Sequence, residues 1–178
     1  MKWWWLGPVL LVIAALPASG KASLTEPRVV VDGSQIRLDF ELTDAFETAL
    51  VERIESGLPA GFEFKLKLVR PHSWWFDNSL DSLDLQVEAT YNAVSREYLV
   101  NFKQNGKLTG SKVVHSREEL EAAMTRFEGL AVFTLDPDRE YRRVVVRMRA
   151  ILGSHNILAF IPTKVHTEWI ESRLFPTP

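Results

Sequence analysis

Residues 83–115 read LDLQVEATYNAVSREYLVNFKQNGKLTGSKVVH, and apolar and polar residues alternate through the first part of this run. The apolar positions of that part are Leu83, Leu85, Val87, Ala89 and Tyr91. A period of two indicates a β-strand that is buried on one face. A turn at 92–96 follows, and a second alternating run then carries Tyr98, Val100 and Phe102.

The dipeptide Asn105-Gly106 separates the second run from a third one at 107–114. Asn-Gly favours a two-residue hairpin turn, because both central residues of such a turn adopt positive φ. The sequence therefore predicts a three-stranded antiparallel meander, against which the rest of the chain must pack.

Further strands are predicted on both sides of the meander. Alternating or apolar runs lie at 28–31, 36–42, 62–68, 130–135 and 141–152. Asp32-Gly33 separates the first two runs and is a second hairpin signal. Together with the meander, these runs make about eight strands.

Two short helices are predicted from apolar residues at helical spacing. The first is expected to begin at a capping box of Asp44 and Glu47, to span about three turns and to end before Gly57. The second is expected to begin at a capping box of Ser116 and Glu119. Its apolar face is Leu120, Ala123, Met124 and Phe127, and Gly129 is its predicted stop.

Consecutive strands with tight turns predict a β-rich α+β fold. We expect an antiparallel β-sandwich or a strongly curved sheet of about eight strands with two short helices. Each helix follows one strand and precedes another, so that each can cover an open end of the sheet. Residues 23–178 are predicted to form a single domain, since their number suffices for one sizeable core.

Residues 1–22 have the pattern of an export signal. Lys2 is followed by an apolar run at 3–16 and by small residues that include Gly20 and Ala22. Such a pattern predicts a cleaved signal peptide, and cleavage after Gly20 or after Ala22 fits equally. An uncleaved anchor is the alternative, although the run is shorter than the roughly 20 residues of a membrane span. Residues 21–27 are expected to form a polar leader.

Charge and cysteine content exclude several classes of protein. Without residues 1–22 the chain keeps 19 of its 21 Lys and Arg against 23 Asp and Glu, a net charge of −4. This balance argues against broad nucleic-acid binding, which needs a basic surface. The chain has no cysteine. Disulfides, thiol catalysis, cysteine-ligated metals and a lipoprotein anchor are therefore excluded.

Several motifs resemble an uncharacterised proteobacterial secreted family, catalogued as domain of unknown function 4390. They are YNAVSREY at 91–98, Asn105-Gly106, SREELEA at 116–122, the pair Trp74-Trp75, and WIES at 169–172. Leu174-Phe175 departs from the family tail, where a second tryptophan is usual. The resemblance implies a periplasmic protein. It also suggests an envelope protein as partner, with a membrane sensor kinase as one candidate, and it supplies no catalytic residues.

No motif predicts a metal, a cofactor or a nucleophile. Asp77, Ser79, Asp81 and Glu88 have the spacing of a calcium loop, but Ser82 stands where that loop needs glycine. Residues 83–88 also alternate as a strand, which favours an acidic turn leading into that strand. The four histidines lack helical zinc-site spacing, and there is no Gly-x-Ser-x-Gly elbow. We therefore expect no cofactor, metal site or catalytic residue.

Trp74 and Trp75 lie in the least regular stretch, between two predicted strands. Neighbouring residues of an extended chain point to opposite sides. One tryptophan is therefore a candidate for a partner or ligand surface, because exposed tryptophan is enriched at binding hot spots. The alternative is that both rings are buried as a lid over the sheet.

Three arginines follow one face of the strand predicted at 141–152. Arg143, Arg147 and Arg149 share this face with Tyr141 and Val145. The opposite face is Val144, Val146, Met148 and Ala150, which we assign to the core. An arginine row binds carboxylates well, so that an acidic ligand is one reading. The other is neutralisation by cross-strand pairs with carboxylates of neighbouring strands, namely Asp84, Glu88, Asp39 and Glu41.

These observations favour a periplasmic, non-enzymatic accessory or protein-interaction module, in a setting of envelope signalling. A carrier of a small apolar or acidic ligand is the alternative, and a hydrolase comes third. A solid core with an exposed aromatic strip would favour the interaction module. An apolar cavity between sheet and helices would favour the carrier, and a pocket with converging histidine and carboxylate the hydrolase.

Overall fold

The computed structural model describes residues 21–71, 78–136, 141, 143–156 and 162–175, with only the backbone for 153–156 and 162–164. This part of the chain contains eleven strands and two helices. The strands are β1 Ser23–Leu24, β2 Arg28–Asp32, β3 Gln35–Thr43, β4 Ala60–Arg70, β5 Asn78–Asn92, β6 Glu97–Gln104, β7 Lys107–Val114, β8 Arg126–Thr134, β9 Val145–Asn156, β10 Pro162–His166 and β11 Ile170–Glu171. The helices are α1 Thr48–Glu55 and α2 Arg117–Thr125.

The smaller of two antiparallel sheets is built around β3. Strand β2 returns into β3 through the turn at Gly33, which has φ 58°, and Val31 pairs with Ile36. Strand β8 pairs with the same part of β3 and therefore lies on its other edge. The short strand β1 pairs with the end of β3, where Leu24 lies opposite Leu42.

The larger sheet has the order β10-β9-β4-β5-β6-β7, and β11 also pairs with β9. The predicted meander forms its β5-β6-β7 part. Strand β4 has β5 on one edge and β9 on the other, so that it is the central strand of the sheet. All pairs in this sheet are antiparallel.

A single core lies between the two sheets and includes residues of both helices. At its centre Phe40 of β3 stacks on Phe127 of β8 with ring centroids 4.6 Å apart, and Phe64 of β4 meets both rings edge-on. Val144, Val146, Met148 and Ala150 are fully buried, as predicted. The β-rich, sandwich-like fold with two short helices is thus confirmed.

The Asn105-Gly106 hairpin is confirmed in detail. The two residues have φ of 48° and 78°, which is the positive pair that this turn requires. Asn105 also fastens the turn to the neighbouring strand, because its Oδ1 accepts a hydrogen bond from the Asp84 N–H at 2.9 Å. A local signal, two residues long, therefore fixes the register of β6 against β7.

Helix α1 differs from the prediction at its start. It begins at Thr48 and has eight residues, about two turns, and its N-cap residue Glu47 makes no side-chain capping bond. Asp44 has φ 54° and precedes the helix, so that the predicted box with Glu47 does not form. The end at Gly57, with φ 81°, is as predicted.

Helix α2 begins as predicted and ends earlier than predicted. Ser116 Oγ accepts a hydrogen bond from the Glu119 N–H at 3.1 Å, and Glu119 Oε2 accepts one from the His115 N–H at 2.9 Å. The helix ends at Thr125 and β8 follows directly, so that Phe127 and Gly129 belong to a strand. Phe127 packs against Phe40 of the neighbouring strand β3, and this tertiary contact outweighs its helical spacing.

Two further predictions on element bounds were wrong. Residues 23–24 of the expected leader form β1, and Leu24 is buried in the core. The long strand begins at Val145 and not at Tyr141, because Arg143 has φ 53°, outside the extended region. Among the described residues, neither helix has the length and hydrophobicity needed to cross a membrane.

Candidate functional site

The C-terminal segment, residues 165–175, lies along the edge of β9 opposite β4. It positions Trp169, which is the most exposed Phe, Tyr or Trp side chain among the described residues. Two buried hydroxyls join this segment to β9. Thr167 Oγ1 accepts from the Ala150 N–H at 3.0 Å, and Ser172 Oγ accepts from the Val146 N–H at 3.0 Å. Between these anchors Ile170 and Glu171 pair with β9 as β11. Trp169, which precedes them, lies over the outer face of the sheet, the face turned away from the core.

Trp169 lies against two cations of the outer face. The ring centroid is 4.7 Å from Arg149 Cζ and 5.4 Å from Lys67 Nζ, both within the range of a cation–π contact. The Trp169 side chain remains 37% exposed. Among the described residues, Lys67 and Arg149 make no ion pair, and the buried Nε of Arg149 has no hydrogen-bond acceptor. We call Lys67, Arg149 and Trp169 the Trp169 patch.

The predicted arginine row is not continuous. Arg143 lies before β9 and outside the row, Arg147 Nε donates to Glu171 Oε1 at 2.7 Å, and Arg149 belongs to the Trp169 patch. The carboxylate that neutralises Arg147 therefore comes from β11, which the sequence did not indicate.

The carboxylates expected to neutralise the row have other partners. Asp84 pairs with Lys65 at 3.1 Å, and Glu88 pairs with Lys103 at 2.6 Å. Asp39 and Glu41 lie in the smaller sheet, where Glu41 pairs with Arg126 at 2.8 Å. Ion pairs with neighbouring strands thus neutralise several charges of the outer face, but those of the described residues do not include Arg149.

A cleft of about 650 Å³ lies between α1 and the end of β4. Its apolar lining is Ala45, Ala49, Leu50, Pro59, Ala60, Phe62, Ile151, Leu152 and Val165, and its polar lining is Glu47, Arg53, Glu63, Gln86 and Glu88. This volume is in the range of ligand pockets. The described lining residues include no histidine, serine or threonine, so that they offer carboxylates but no hydroxyl or imidazole group.

The Trp169 patch and the cleft adjoin each other. Arg149 and Ile151 are two positions apart on the same face of β9, a spacing of roughly 7 Å. Lys65, which pairs with Glu63 of the cleft at 2.8 Å, lies opposite Arg149 across the strands. The two features therefore form one continuous surface at this end of the outer face.

A polar cluster elsewhere joins both helices to the sheet. The Glu55 carboxylate of α1 receives two hydrogen bonds from Arg117, at 2.8 and 2.7 Å, and one from the Tyr98 hydroxyl at 2.8 Å. These donors, Arg117 first, lower the pKa of Glu55, and burial together with the carboxylate raises the pKa of Tyr98. Sequence reasoning did not single out this cluster, because its members are 43 and 62 positions apart.

Other candidate motifs are not assembled into a site within the described residues. Ser79, Asp81 and Glu88 of the calcium-like spacing all lie in β5, an extended geometry that cannot wrap around an ion. No group of metal-ligating side chains occurs in the described ranges. Trp74, Trp75 and Asp77 lie outside the described residues.

Comparison with known proteins gives one match. A family model described as a domain of unknown function, DUF4390, matches residues 19–156. No curated protein and no solved structure matches the chain. The matched range contains both helices and the strands from β1 to β9, which is most of the fold. The chain therefore belongs to the DUF4390 family of domains of unknown function.

Proposed function

We propose that this protein is a non-enzymatic binding module of the cell envelope, which recognises a partner protein through the Trp169 patch. The observation that carries the proposal is the position of Trp169, partly exposed over Arg149 and Lys67. Tryptophan and arginine are the residues most enriched at binding hot spots. A rigid strand carries Arg149, so that the patch is held in place before a partner arrives.

The charges of the Trp169 patch indicate which charges a partner surface carries. Lys67 and Arg149 have no carboxylate partner among the described residues, whereas Lys65, Arg147 and Lys103 do. An acidic residue of a partner would neutralise the charges of Lys67 and Arg149, and burial of the indole would add apolar area. We therefore expect an acidic partner surface with an apolar centre.

Export to the envelope is the second part of the proposal. It is supported by the signal pattern at 1–22 and by the position of β1, which begins at Ser23. Cleavage after Gly20 or after Ala22 leaves β1 complete. A membrane sensor kinase with a periplasmic domain is one candidate partner, in keeping with the family resemblance.

Site-specific photo-crosslinking in cells of the native organism tests the proposal. A benzophenone amino acid replaces Lys67 in the patch or, as a control, Val94, which is 95% exposed in the turn after β5. We expect a discrete adduct with an envelope protein from position 67 only. Equal adducts from both positions, or none from position 67, would refute the Trp169 patch as the contact surface.

A carrier of a small ligand is the second candidate function. The cleft beside α1 favours it, because nine of its lining residues are apolar and its volume suits a small molecule. Binding of a dye-labelled apolar acid to the purified protein, displaced by unlabelled acid, would support the carrier function.

A further inference from the structure

The larger sheet forks at the cleft. The pairing of β4 with β9 begins where Val69 lies opposite Val145 and ends where Glu63 lies opposite Ile151. Residues 60–62 of β4 still pair with β5 on the other side, and β9 continues along β10. Among the described strands, none pairs with 60–62 on the side toward β9. We propose that the cleft binds an extended peptide segment of a partner, added as a strand to this edge of β4.

A close approach of β4 to β5 lies beside the fork. At Gly61 the two backbones approach so closely that a side-chain Cβ would lie 1.8 Å from the carbonyl oxygen of Val87 in β5. Only glycine permits this approach. The end of β4 is thus held against β5 at the point where β9 leaves it, and the gap stays open without a partner strand.

The exposed edge favours a peptide over a small molecule. Over residues 60–62 the unpaired edge presents one or two backbone N–H and C=O pairs, since alternate residues direct these groups to opposite edges, and an added strand satisfies them. The polar side chains of the cleft offer few fixed contacts, because Glu63 and Glu88 are already paired with Lys65 and Lys103. The apolar residues of α1 and β9 would receive alternate side chains of the added strand.

Two charges define the ends of the peptide. Glu47 and Arg53 line the cleft, and neither has a charged partner among the described residues. They are six positions apart at the two ends of α1, about 9 Å along the helix axis. A peptide with a basic side chain and an acidic one two positions further along, roughly 7 Å away on the same face of the added strand, complements both.

The test is a selection of short displayed peptides on the exported form of the chain. The library alternates apolar and varied positions, with one basic and one acidic residue at the stated spacing. Ala49, exposed on α1 and facing the cleft, becomes tryptophan in the blocking variant Ala49→Trp. Glu52→Trp is the matched control, because Glu52 is exposed on the same helix and does not line the cleft. Thermal melts first establish that both variants are folded.

We expect sequences to be enriched on the wild type and on Glu52→Trp, and to be lost on Ala49→Trp. Methylation of alternate backbone nitrogens of an enriched peptide should weaken its binding at least about tenfold, since it removes the donors that pair with β4. Trp169→Ala should leave this binding unchanged, which separates this inference from the proposed function. Absence of enrichment, equal enrichment on Ala49→Trp, or a methylated peptide that binds as tightly as the parent would overturn it. Binding of dodecanoate without any peptide enrichment would assign the cleft to a small apolar acid instead.

Discussion

The hydroxyl of Ser172 accepts a hydrogen bond from the backbone N–H of Val146 at 3.0 Å, and the Ser172 N–H donates to the Val146 carbonyl at 2.8 Å. The Ser172 side chain thus satisfies a backbone N–H of β9 at the point where β11 ends. Thr167 repeats this arrangement at Ala150. The two hydroxyls bracket Trp169 and fix its position over Arg149.

Replacement of Ser172 by alanine should therefore destabilise the protein. The buried Val146 N–H would lose its acceptor, and an unsatisfied buried donor costs about 1–3 kcal/mol. The free energy of unfolding from urea titration measures this loss. Ser95→Ala is the control, because Ser95 is exposed in the turn after β5 and its change should stay within about 0.5 kcal/mol. Equal effects of the two substitutions would contradict the role of Ser172.

Gly106→Val should disrupt the β6-β7 hairpin. Gly106 has φ 78°, and a β-branched residue in this region costs about 1–3 kcal/mol. Gly110→Val is the matched control in the same hairpin, since Gly110 lies in β7 with open space around the position of its Cβ. Thermal melts should separate the two variants. An unchanged midpoint for Gly106→Val would mean that the turn does not need positive φ at this position.

Local signals predicted those parts of the fold whose cause is local. The Asn105-Gly106 turn, the Ser116 cap and the alternating strands of the meander depend on a few adjacent residues, and all three are found in the structure. The end of α2 was predicted wrongly, because Phe127 has helical spacing but packs against Phe40, a residue of a neighbouring strand that is far away in the sequence. No pattern within residues 116–129 indicates that contact.

The candidate site depends more than these elements do on the pairing of strands that are far apart in the sequence. Arg147 and Arg149 were identified from the alternation of one strand, whereas Trp169 reaches Arg149 because β11, a strand of two residues that follows it, pairs with β9. The cleft results from the end of pairing between Glu63 and Ile151, which no local pattern encodes. Sequence reasoning therefore found Arg149 but did not predict Lys67 as its neighbour, Trp169 as the ring that covers it, or the cleft beside them.

The Glu55 cluster should make stability depend on pH. Hydrogen bonds from Arg117 and Tyr98 lower the pKa of Glu55 in the folded state. Its stabilising contribution is therefore complete above the unfolded value, about pH 4.3, and is lost as pH falls through the lower folded pKa. Glu55→Gln should lower the unfolding midpoint at pH 7 and have a much smaller effect in strong acid.

A double-mutant cycle provides the control for that prediction. In the Arg117→Gln background, Glu55→Gln should cost less at pH 7, because the ion pair is already absent. Thermal melts across the pH range measure both effects. Equal costs of Glu55→Gln with and without Arg117 would show that the pair contributes no coupling.

We expect the proposed export to leave a protein that begins at Lys21 or Ser23. The small residues Gly20 and Ala22 set these two cleavage positions, and either start keeps β1 paired with β3. Intact-mass measurement of protein isolated from the envelope determines the first residue. Detection of Met1 on the mature protein would show that the segment stays as an anchor.

The affinity of Trp169→Ala for the envelope protein crosslinked at position 67 tests the proposed function most directly. The ring is 37% exposed and makes two cation–π contacts, each worth about 0.5–1 kcal/mol, so that Trp169→Ala should be less stable than the wild type and still fold. Binding should weaken by about 2 kcal/mol or more, about 30-fold in Kd, as expected of a hot spot. Val94→Ala should leave both quantities unchanged. A folded Trp169→Ala variant that binds the partner with wild-type affinity would contradict the account.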